Sequence, residues 1–285
     1  MPSILITGAN KGIGLAVVKA ILIQQPEYRV WLGARDGERG ADACKAALAE
    51  TGADDKRLQV LPLDVSDSAS VAQAAARVRD SGDELVGLVN NAGIAQGSLA
   101  QILDVNVRGM QRVCDAFIPL MKDGSRVVNV ASASGPNYVA QGAPEWQAFF
   151  QSPDIDWPRL QKFMQECERM TPVEMQNRGL PANANYGLSK ACANLLSLMV
   201  ARANPQLLIN ACTPGYIETD MTRGMTGTSG ASAAELGMKQ PDAGAHVIMH
   251  LLFEPLQNSG WYYGSDAQRS PLDRYRAPGS APYTD

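Results

Sequence analysis

Tyr186 and Lys190 stand four positions apart in the stretch Tyr-Gly-Leu-Ser-Lys. On a helix, this spacing places both side chains on one face, about one turn from each other. A free phenol has a pKa of about 10, and a neighbouring ammonium lowers that pKa by roughly 1–3 units. Such a tyrosine can act as a general acid or base near neutral pH. The same spacing also arises by chance on solvated helix faces, so the hypothesis depends on the rest of the chain.

A glycine-rich segment at residues 7–14 reads T-G-A-N-K-G-I-G and joins the first predicted strand to the first predicted helix. Glycines permit a tight turn and a close approach of the backbone to a ligand, and a helix start in this position faces a pyrophosphate. A plain glycine turn is the alternative, but the position after the first strand favours a nucleotide. The candidate cofactor contacts here are Gly8, Asn10, Lys11, Gly12, Ile13 and Gly14.

The end of the second predicted strand favours NADP(H). An NAD site usually has an acidic residue about 20 positions after the glycine turn. In this sequence that place falls near Ala34, which is followed by Arg35. Arg35 and Lys11 could together bind a 2′-phosphate. Two solvated surface bases are the alternative, and Asp36 leaves an NAD site open.

Asp64 and Val65 follow the third predicted strand. We take both as candidate contacts of the adenosine, with the Asp64 carboxylate as a partner for the adenine amino group. The alternative role of Asp64 is the N-cap of the next helix, for which Ser66 is an equal candidate.

Strand and helix patterns alternate along the chain. Continuous apolar runs typical of buried parallel strands occur at residues 3–7, 29–33, 58–63, 85–90, 126–131 and 207–212. Helical patterns occur at residues 13–24, 37–50, 68–80, 100–121, 186–203 and 242–253, and a last strand is predicted at 260–263. The alternation predicts an α/β fold with a doubly wound, Rossmann-like parallel sheet in a single domain, residues 1–285.

Two segments interrupt this alternation. Residues 135–184 contain two of the four tryptophans and three of the five phenylalanines, which predicts a folded, helical insertion before the tyrosine helix. Residues 266–285 contain three prolines, and we predict an extended, partly disordered tail there.

The composition narrows the possible partners and the compartment. A net charge of −4 and a pI near 5.3 argue against binding to nucleic acid. Apolar runs fall short of the roughly 18 residues that span a bilayer, and residues 3–8 lead directly into a strand without signal-peptide features. Five scattered cysteines without a C-x-x-C pair are typical of reduced thiols. We therefore expect a cytoplasmic protein without membrane or nucleic-acid partners.

His246 and His250 have a spacing that could bind a metal ion. They lack the intervening acid of H-E-x-x-H, however, so we expect no metal site.

Together with further motifs, these residues resemble the short-chain dehydrogenase/reductase family. N-N-A-G at residues 90–93, Asn106, Ser132 and P-G at residues 214–215 occur in the family's order. The 54 positions between Ser132 and Tyr186 (186 − 132) resemble the insertion of the monomeric carbonyl reductase branch. The segments around Lys11 and Arg35 are also similar to that branch, whose members use NADPH.

The resemblance implies four catalytic residues. Tyr186 is the general acid that protonates a carbonyl oxygen as hydride arrives, and Lys190 lowers the pKa of the phenol and contacts the nicotinamide ribose. Ser132 forms a hydrogen bond with the substrate oxygen, and Asn106 holds a water in a proton relay. The structural alternatives are a strand-end cap for Ser132, with Ser134 also available, and a partner of the backbone for Asn106.

The resemblance also implies further contacts of the cofactor and the substrate. The adenosine half is flanked by Asn90, Ala92 and Gly93, and the nicotinamide by Pro214, Gly215 and Thr219. Ser134 and Tyr216 belong to the substrate pocket, although a packed loop tyrosine is the alternative for Tyr216. Residues 94–105 form a shorter segment than carbonyl reductases normally have, so the substrate preference is not carried over.

These residues predict an NADPH-dependent reductase of a small ketone, aldehyde or quinone. The alternatives are an NAD(P)-linked alcohol or steroid dehydrogenase that works oxidatively, and a catalytically silent nucleotide-sensing protein. We expect the insertion to cover the surface by which most family members pair, which predicts a monomer. We also expect it to wall an apolar substrate pocket with few polar groups.

Overall fold

The computed structural model describes residues 1–222, 232–256 and 258–284. Within them one sheet has the strand order β3-β2-β1-β4-β5-β6-β7-β8. The strands are β1 (Pro2–Ile6), β2 (Arg29–Ala34), β3 (Leu58–Pro62), β4 (Glu84–Asn90), β5 (Met121–Val130), β6 (Leu208–Cys212), β7 (Tyr262–Tyr263) and β8 (Arg269–Ser270). Neighbouring strands are parallel except for β7 and β8.

Helices cover both faces of the sheet, which confirms the predicted doubly wound, Rossmann-like fold. They are α1 (Gly12–Gln24), α2 (Gly37–Thr51), α3 (Ser68–Asp80), α4 (Leu99–Leu103), α5 (Gly109–Phe117), α6 (Ser134–Gln141), α7 (Pro144–Gln151), α8 (Trp157–Arg169), α9 (Pro172–Asn177), α10 (Asn185–Ala203) and α11 (Pro241–Phe253).

Side chains of β1 alternate between the two apolar layers of the core. Leu5 joins the layer that includes residues of α5 and α10, whereas Ile4 and Ile6 join the layer that includes α1 and α11. All three are almost completely buried. Because successive strand residues point to opposite faces, a strand covered on both sides must be apolar throughout, which explains the continuous runs in the sequence.

One continuous helix was predicted at residues 100–121, but the helix is interrupted and ends earlier. A π-helical turn, Asp104–Arg108, separates α4 from α5, and α5 ends at Phe117. Pro119 has no N–H group that could continue the helical hydrogen bonds, and a short 3₁₀ turn, Ile118–Leu120, leads into β5. Met121 therefore belongs to the sheet, where it pairs with Leu85.

The insertion contains α6 to α9 and is packed around aromatic rings. Neighbouring ring centroids among Trp146, Phe149, Phe150 and Phe163 lie 4.9 to 5.8 Å apart. Offset and edge-on ring contacts at these distances add to the stabilisation from burial. The insertion is also tied to the body, because Arg108 of the π-turn forms a 2.7 Å ion pair with Glu168 of α8.

The C-terminal tail does not run extended from residue 266. The sequence analysis missed β8 (Arg269–Ser270), which pairs antiparallel with β7. Arg276, whose side chain is only 6% exposed, binds the Asp266 carboxylate through both Nη atoms, at 3.1 and 2.7 Å. The Gly279 N–H donates to the same carboxylate at 3.0 Å. These contacts fold the segment from residue 266 to residue 279 back onto itself.

The Asp266–Arg276 pair makes a pH-dependent contribution to stability. Burial raises the pKa of Asp266, but the hydrogen bonds from Arg276 and from the backbone of Gly279 and Gln268 outweigh it and lower the pKa to about 2. A carboxyl group whose pKa is lowered by folding stabilises the fold above its unfolded pKa of about 4, and this contribution is lost as the pH falls towards 2.

We expect Arg276→Leu to lower the free energy of unfolding by about 1–2 kcal/mol at pH 7, because it removes charge-assisted hydrogen bonds. The difference from the wild type should shrink as the pH falls from about 4 to 2. Urea unfolding at a series of pH values measures both effects. The control is Arg274→Leu, since Arg274 has a 56% exposed side chain and pairs with neighbouring Asp273. Equal losses for the two variants, or a difference independent of pH, would contradict this account.

Candidate active site

The candidate residues collect at the carboxyl edge of the sheet. The glycine-rich segment follows β1, N-N-A-G follows β4, Ser132 follows β5 and P-G follows β6. Parallel strands end on the same side, and β1 and β4 are neighbours although they are not consecutive. Ligands of doubly wound sheets bind in the crevice at such a switch of strand order.

The loops after β1 and β4 are joined by hydrogen bonds. Thr7 Oγ1 accepts from the N–H groups of Asn91 and Ala92, both at 3.0 Å. Asn91 Nδ2 donates to the carbonyls of Thr7 and Gly8, at 3.0 and 3.1 Å. The sequence analysis missed Asn91 and the Thr7 hydroxyl as positioning groups. The second asparagine of N-N-A-G was the available signal.

Gly14 shows how tightly the glycine-rich segment is packed. A Cβ at this position would lie 2.6 Å from Asn91 Nδ2 and 2.8 Å from the Gly8 carbonyl oxygen. Only glycine fits this position without movement of the backbone. Beyond the segment, Thr219 Cγ2 would contact a Cβ at Gly12 at 3.4 Å, so the loop after β6 reaches the glycine-rich segment.

Asn90 is buried between strands and faces partners within the protein. Its Nδ2 donates to Asn129 Oδ1 at 2.8 Å and to Cys114 Sγ at 3.4 Å. Asn129 in turn donates to Ser197 of α10 at 2.9 Å. Asn90 thus links β4, β5 and α10, a structural role that the sequence analysis did not consider.

The charged residues that were expected near the adenosine differ in their hydrogen bonds and ion pairs. Arg35 is exposed just after β2. Asp36 caps α2, since its Oδ1 accepts from the N–H groups of Glu38 and Arg39 at 3.1 Å, and its Oδ2 lies 3.3 Å from Arg39. Lys11 lies 2.7 Å from Asp220 in an exposed ion pair. The capping role of Asp36 weakens the NAD alternative.

Asp64 and Ser66 were the two candidates for the N-cap of α3, and neither of them caps this helix. Asp67 accepts from the Ala69 N–H at 2.9 Å and caps this helix. Asp64 instead accepts from the Ser66 N–H and hydroxyl, at 2.9 and 2.6 Å, in a local turn, while Val65 is buried. The signal was ambiguous because three residues able to cap a helix occur within four positions.

Tyr186, Ser132 and Lys190 are brought together by the packing of α10 on α6. The Ser132 side chain interacts with the Tyr186 phenol. Lys190 Nζ lies 5.6 Å from the centroid of the Tyr186 ring and donates to the Val130 carbonyl at 2.9 Å. Ser134 lies next to Ser132, with 3.3 Å between their Oγ atoms.

Burial shifts the pKa values of the tyrosine and the lysine in opposite directions. It raises the pKa of Tyr186, and the Ser132 hydrogen bond acts against this. It lowers the pKa of Lys190 to about 8, opposed by the nearby Cys212. The pKa of the phenol is therefore shifted in the direction opposite to the one expected from Lys190, because desolvation dominates at both groups.

Asn106 lies in the π-turn and is engaged with the backbone. Its Oδ1 accepts from the Ile94 N–H at 2.8 Å, and its Nδ2 donates to the Ile94 carbonyl at 2.9 Å and to Ser189 Oγ at 3.0 Å. The asparagine side chain thus holds the segment after Gly93 against α10. The alternative given from the sequence, a partner of the backbone, describes these contacts. π-turns of this kind are frequent at functional sites.

A cleft of about 610 Å³ opens beside Tyr186. Ser134 lines it as well, whereas Tyr216 is 43% exposed and is not among the described residues that line it. The expectation of an apolar pocket is wrong, since five carboxamides line the cleft: Gln96, Asn137, Gln141, Asn183 and Asn185. Gln96 belongs to the short segment after Gly93.

Two further observations concern the part of the chain that the structure describes. It contains no helix long and apolar enough to cross a bilayer. Among the same residues, no three histidine, cysteine or acidic side chains are grouped as metal ligands, and His246 and His250 lie on α11.

Comparison with known proteins assigns the chain to a class. The short chain dehydrogenase family model matches residues 2–144. The chain therefore belongs to the short chain dehydrogenase family and is an oxidoreductase. This confirms the resemblance stated from the motifs.

Within this family the chain lies in the carbonyl reductase-like branch. It is 33% identical to carbonyl reductase (NADPH) 1 of Sus scrofa over 273 residues, which cover 90% of this chain and 88% of the relative. It is 32% identical to the Homo sapiens carbonyl reductase (NADPH) 1 over 274 residues, which cover 90% and 92%. Salutaridine reductase from Papaver somniferum shares the fold, with a TM-score of 0.77, 23% identity and coverage of 92% of this chain and 99% of that chain.

Proposed function

We propose that this oxidoreductase is an NADPH-dependent carbonyl reductase that reduces a small ketone, aldehyde or quinone, with Tyr186 as the general acid. The observation that carries the proposal is the Tyr186 phenol, which interacts with Ser132, lines a cleft and has the buried Lys190 Nζ 5.6 Å from its ring centroid. The two curated relatives described above are named as NADPH carbonyl reductases, which supports the same activity.

The residues at the carboxyl edge fit a dinucleotide. Gly8 and Gly12 have φ values of 62° and 56°, which favour glycine, and they lead directly into the start of α1, where a pyrophosphate is bound in such folds. The bound nicotinamide supplies the hydride. On the nicotinamide side, Pro214, Gly215 and Thr219 form a loop that reaches the glycine-rich segment. We assign the contact with the nicotinamide ribose to Lys190.

The chain's own groups act on the substrate oxygen. This oxygen gains negative charge as the carbonyl is reduced, and donors already held in place stabilise it without reorganisation. The hydroxyls of Ser132 and Tyr186 are such donors. The raised pKa keeps the Tyr186 phenol protonated at neutral pH, which suits a group that must give up a proton. The Lys190 ammonium then stabilises the phenolate that remains.

Tyr186→Phe should lower kcat for carbonyl reduction by at least about a hundredfold, because it removes only the transferable proton. The dissociation constant of NADPH, measured by fluorescence, should change less than about threefold, since the ring remains. Tyr28→Phe is the control, because Tyr28 packs on Phe253, remote from Ser132 and Lys190. Activity of Tyr186→Phe equal to that of the control would refute the assigned acid.

We further propose that Arg35 and Lys11 bind the 2′-phosphate of NADPH. Arg35→Ala should weaken NADPH about tenfold and leave NADH nearly unchanged, because a charge-assisted phosphate contact contributes roughly 1–2 kcal/mol. Arg39→Ala is the matched control, since Arg39 lies in the first turn of α2 and pairs with Asp36. Titration of all three proteins with both nucleotides measures the effect, and equal losses for NADPH and NADH would exclude a phosphate contact.

The protein is proposed to be a monomer that works in the cytoplasm. The aromatic insertion covers part of α10 and the π-turn, as the Arg108–Glu168 pair and the Arg202 bond to the Ile155 carbonyl at 2.9 Å illustrate. All five cysteines are unpaired, which suits a reducing compartment. Light scattering should give the mass of one chain, 30.4 kDa. A dimer mass that does not depend on concentration would contradict the monomer, and a membrane-bound or secreted pool in cell fractionation would contradict the compartment.

A further inference from the structure

The cleft beside Tyr186 is unusually rich in carboxamide side chains. We infer that its substrate is an uncharged carbonyl compound that carries several hydroxyl or carbonyl oxygens near the reacting group, and not an apolar ketone or quinone. This inference rests on the proposed function and narrows its substrate class.

The carboxamides come from three segments of the chain. Asn137 and Gln141 come from α6, Asn183 and Asn185 from the start of α10 and the residues before it, and Gln96 from the loop after β4. Each carboxamide offers two N–H donors and a carbonyl acceptor. A compound with several hydroxyl groups both donates and accepts, so it can form hydrogen bonds with the carboxamides of each segment.

Most of these carboxamides are free to bind a ligand. The Gln141 amide donates to the Asn137 carbonyl at 2.9 Å. The side-chain amides of the other four make no hydrogen bond within the described part of the chain. A substrate that displaces water from these groups must replace the lost hydrogen bonds, or each unpaired group costs binding free energy.

The lining carries no charge. None of the described residues around the cleft is acidic, basic or a histidine. A charged substrate would therefore leave water without a partner of opposite sign in the cleft. Ile102 and Ala95 provide the apolar contact for the carbon skeleton, while Ser134 and Tyr186 add hydroxyls near the reacting oxygen.

Sites that bind a substrate hydroxyl discriminate strongly. An analogue without the hydroxyl leaves the polar groups of the site unpaired, and such sites reject it far better than an apolar pocket rejects an added methylene. The amide-lined cleft should therefore distinguish two ketones of equal carbon skeleton by their hydroxyl groups.

The test compares erythrulose, a four-carbon ketone with three hydroxyl groups, with 2-butanone, which has the same skeleton and none. Hydroxyl groups also make a carbonyl more electrophilic, so the decisive measurement is the change in kcat/KM caused by a variant. Asn137→Leu is the variant, because Asn137 is exposed on α6 and outside the catalytic group. Asn183 is less suitable, since its φ of 56° makes a substitution strained.

We expect Asn137→Leu to lower kcat/KM for erythrulose about tenfold, through KM, and to lower kcat/KM for 2-butanone much less, because 2-butanone has no hydroxyl groups to lose a partner. The matched control is Asn177→Leu, an exposed asparagine at the end of α9 that does not line the cleft. Asn177→Leu should leave kcat/KM unchanged for both ketones. If Asn137→Leu changes kcat/KM equally for both ketones, or for neither, the inferred substrate class is overturned. The proposed reductase activity is not affected by that result.

If the wild type reduces neither ketone nor an aromatic quinone, the proposed function fails, and binding then decides the inference separately. Calorimetry with erythritol, the polyol of the same skeleton, measures binding without turnover. Binding that weakens in Asn137→Leu but not in Asn177→Leu supports a polyoxygenated ligand. Absence of erythritol binding to the protein with NADP overturns it.

Discussion

The close contact between α6 and α10 is the constraint on which the site depends. A Cβ at Gly187 would lie 3.1 Å from the Ser134 carbonyl oxygen, and a Cβ at Gly135 would lie 3.0 Å from the backbone of Lys190. A glycine from each helix thus lets the two backbones approach to a distance that side chains would prevent. This approach brings Tyr186 to Ser132 and places several of the residues that line the cleft on the same two helices.

Burial that results from this packing sets the protonation of the site. The same loss of water raises the pKa of the Tyr186 phenol and lowers that of the Lys190 ammonium, because it disfavours whichever form is charged. The site therefore combines a neutral phenol with a lysine whose pKa is about 8. A neutral phenol is prepared to donate a proton, whereas the ammonium serves best once negative charge has formed beside it.

The insertion serves both architecture and recognition. Its later helices bury an aromatic cluster and pair with the π-turn through Glu168, while its first helix, α6, carries Ser134, Asn137 and Gln141 into the cleft. The π-turn in turn holds the short segment after Gly93 through Asn106, and this segment contributes Gln96. The insertion thus contributes α6 to the substrate cleft, and it also contacts the π-turn through the Arg108–Glu168 ion pair.

The sequence by itself determined the family, the sheet and the residue types of the catalytic group, because apolar runs and ordered motifs are local properties of the chain. In the described part of the chain it also placed six of the eight strands within two residues, and α1, α2, α3, α10 and α11 within one. Only the tertiary structure decided the role of Asn91, the strand Arg269–Ser270 and the carboxamide lining of the cleft. These depend on which distant segments meet. The expected effect of Lys190 on the phenol failed for the same reason, since a one-turn spacing fixes a shared helix face but not the burial that governs both pKa values.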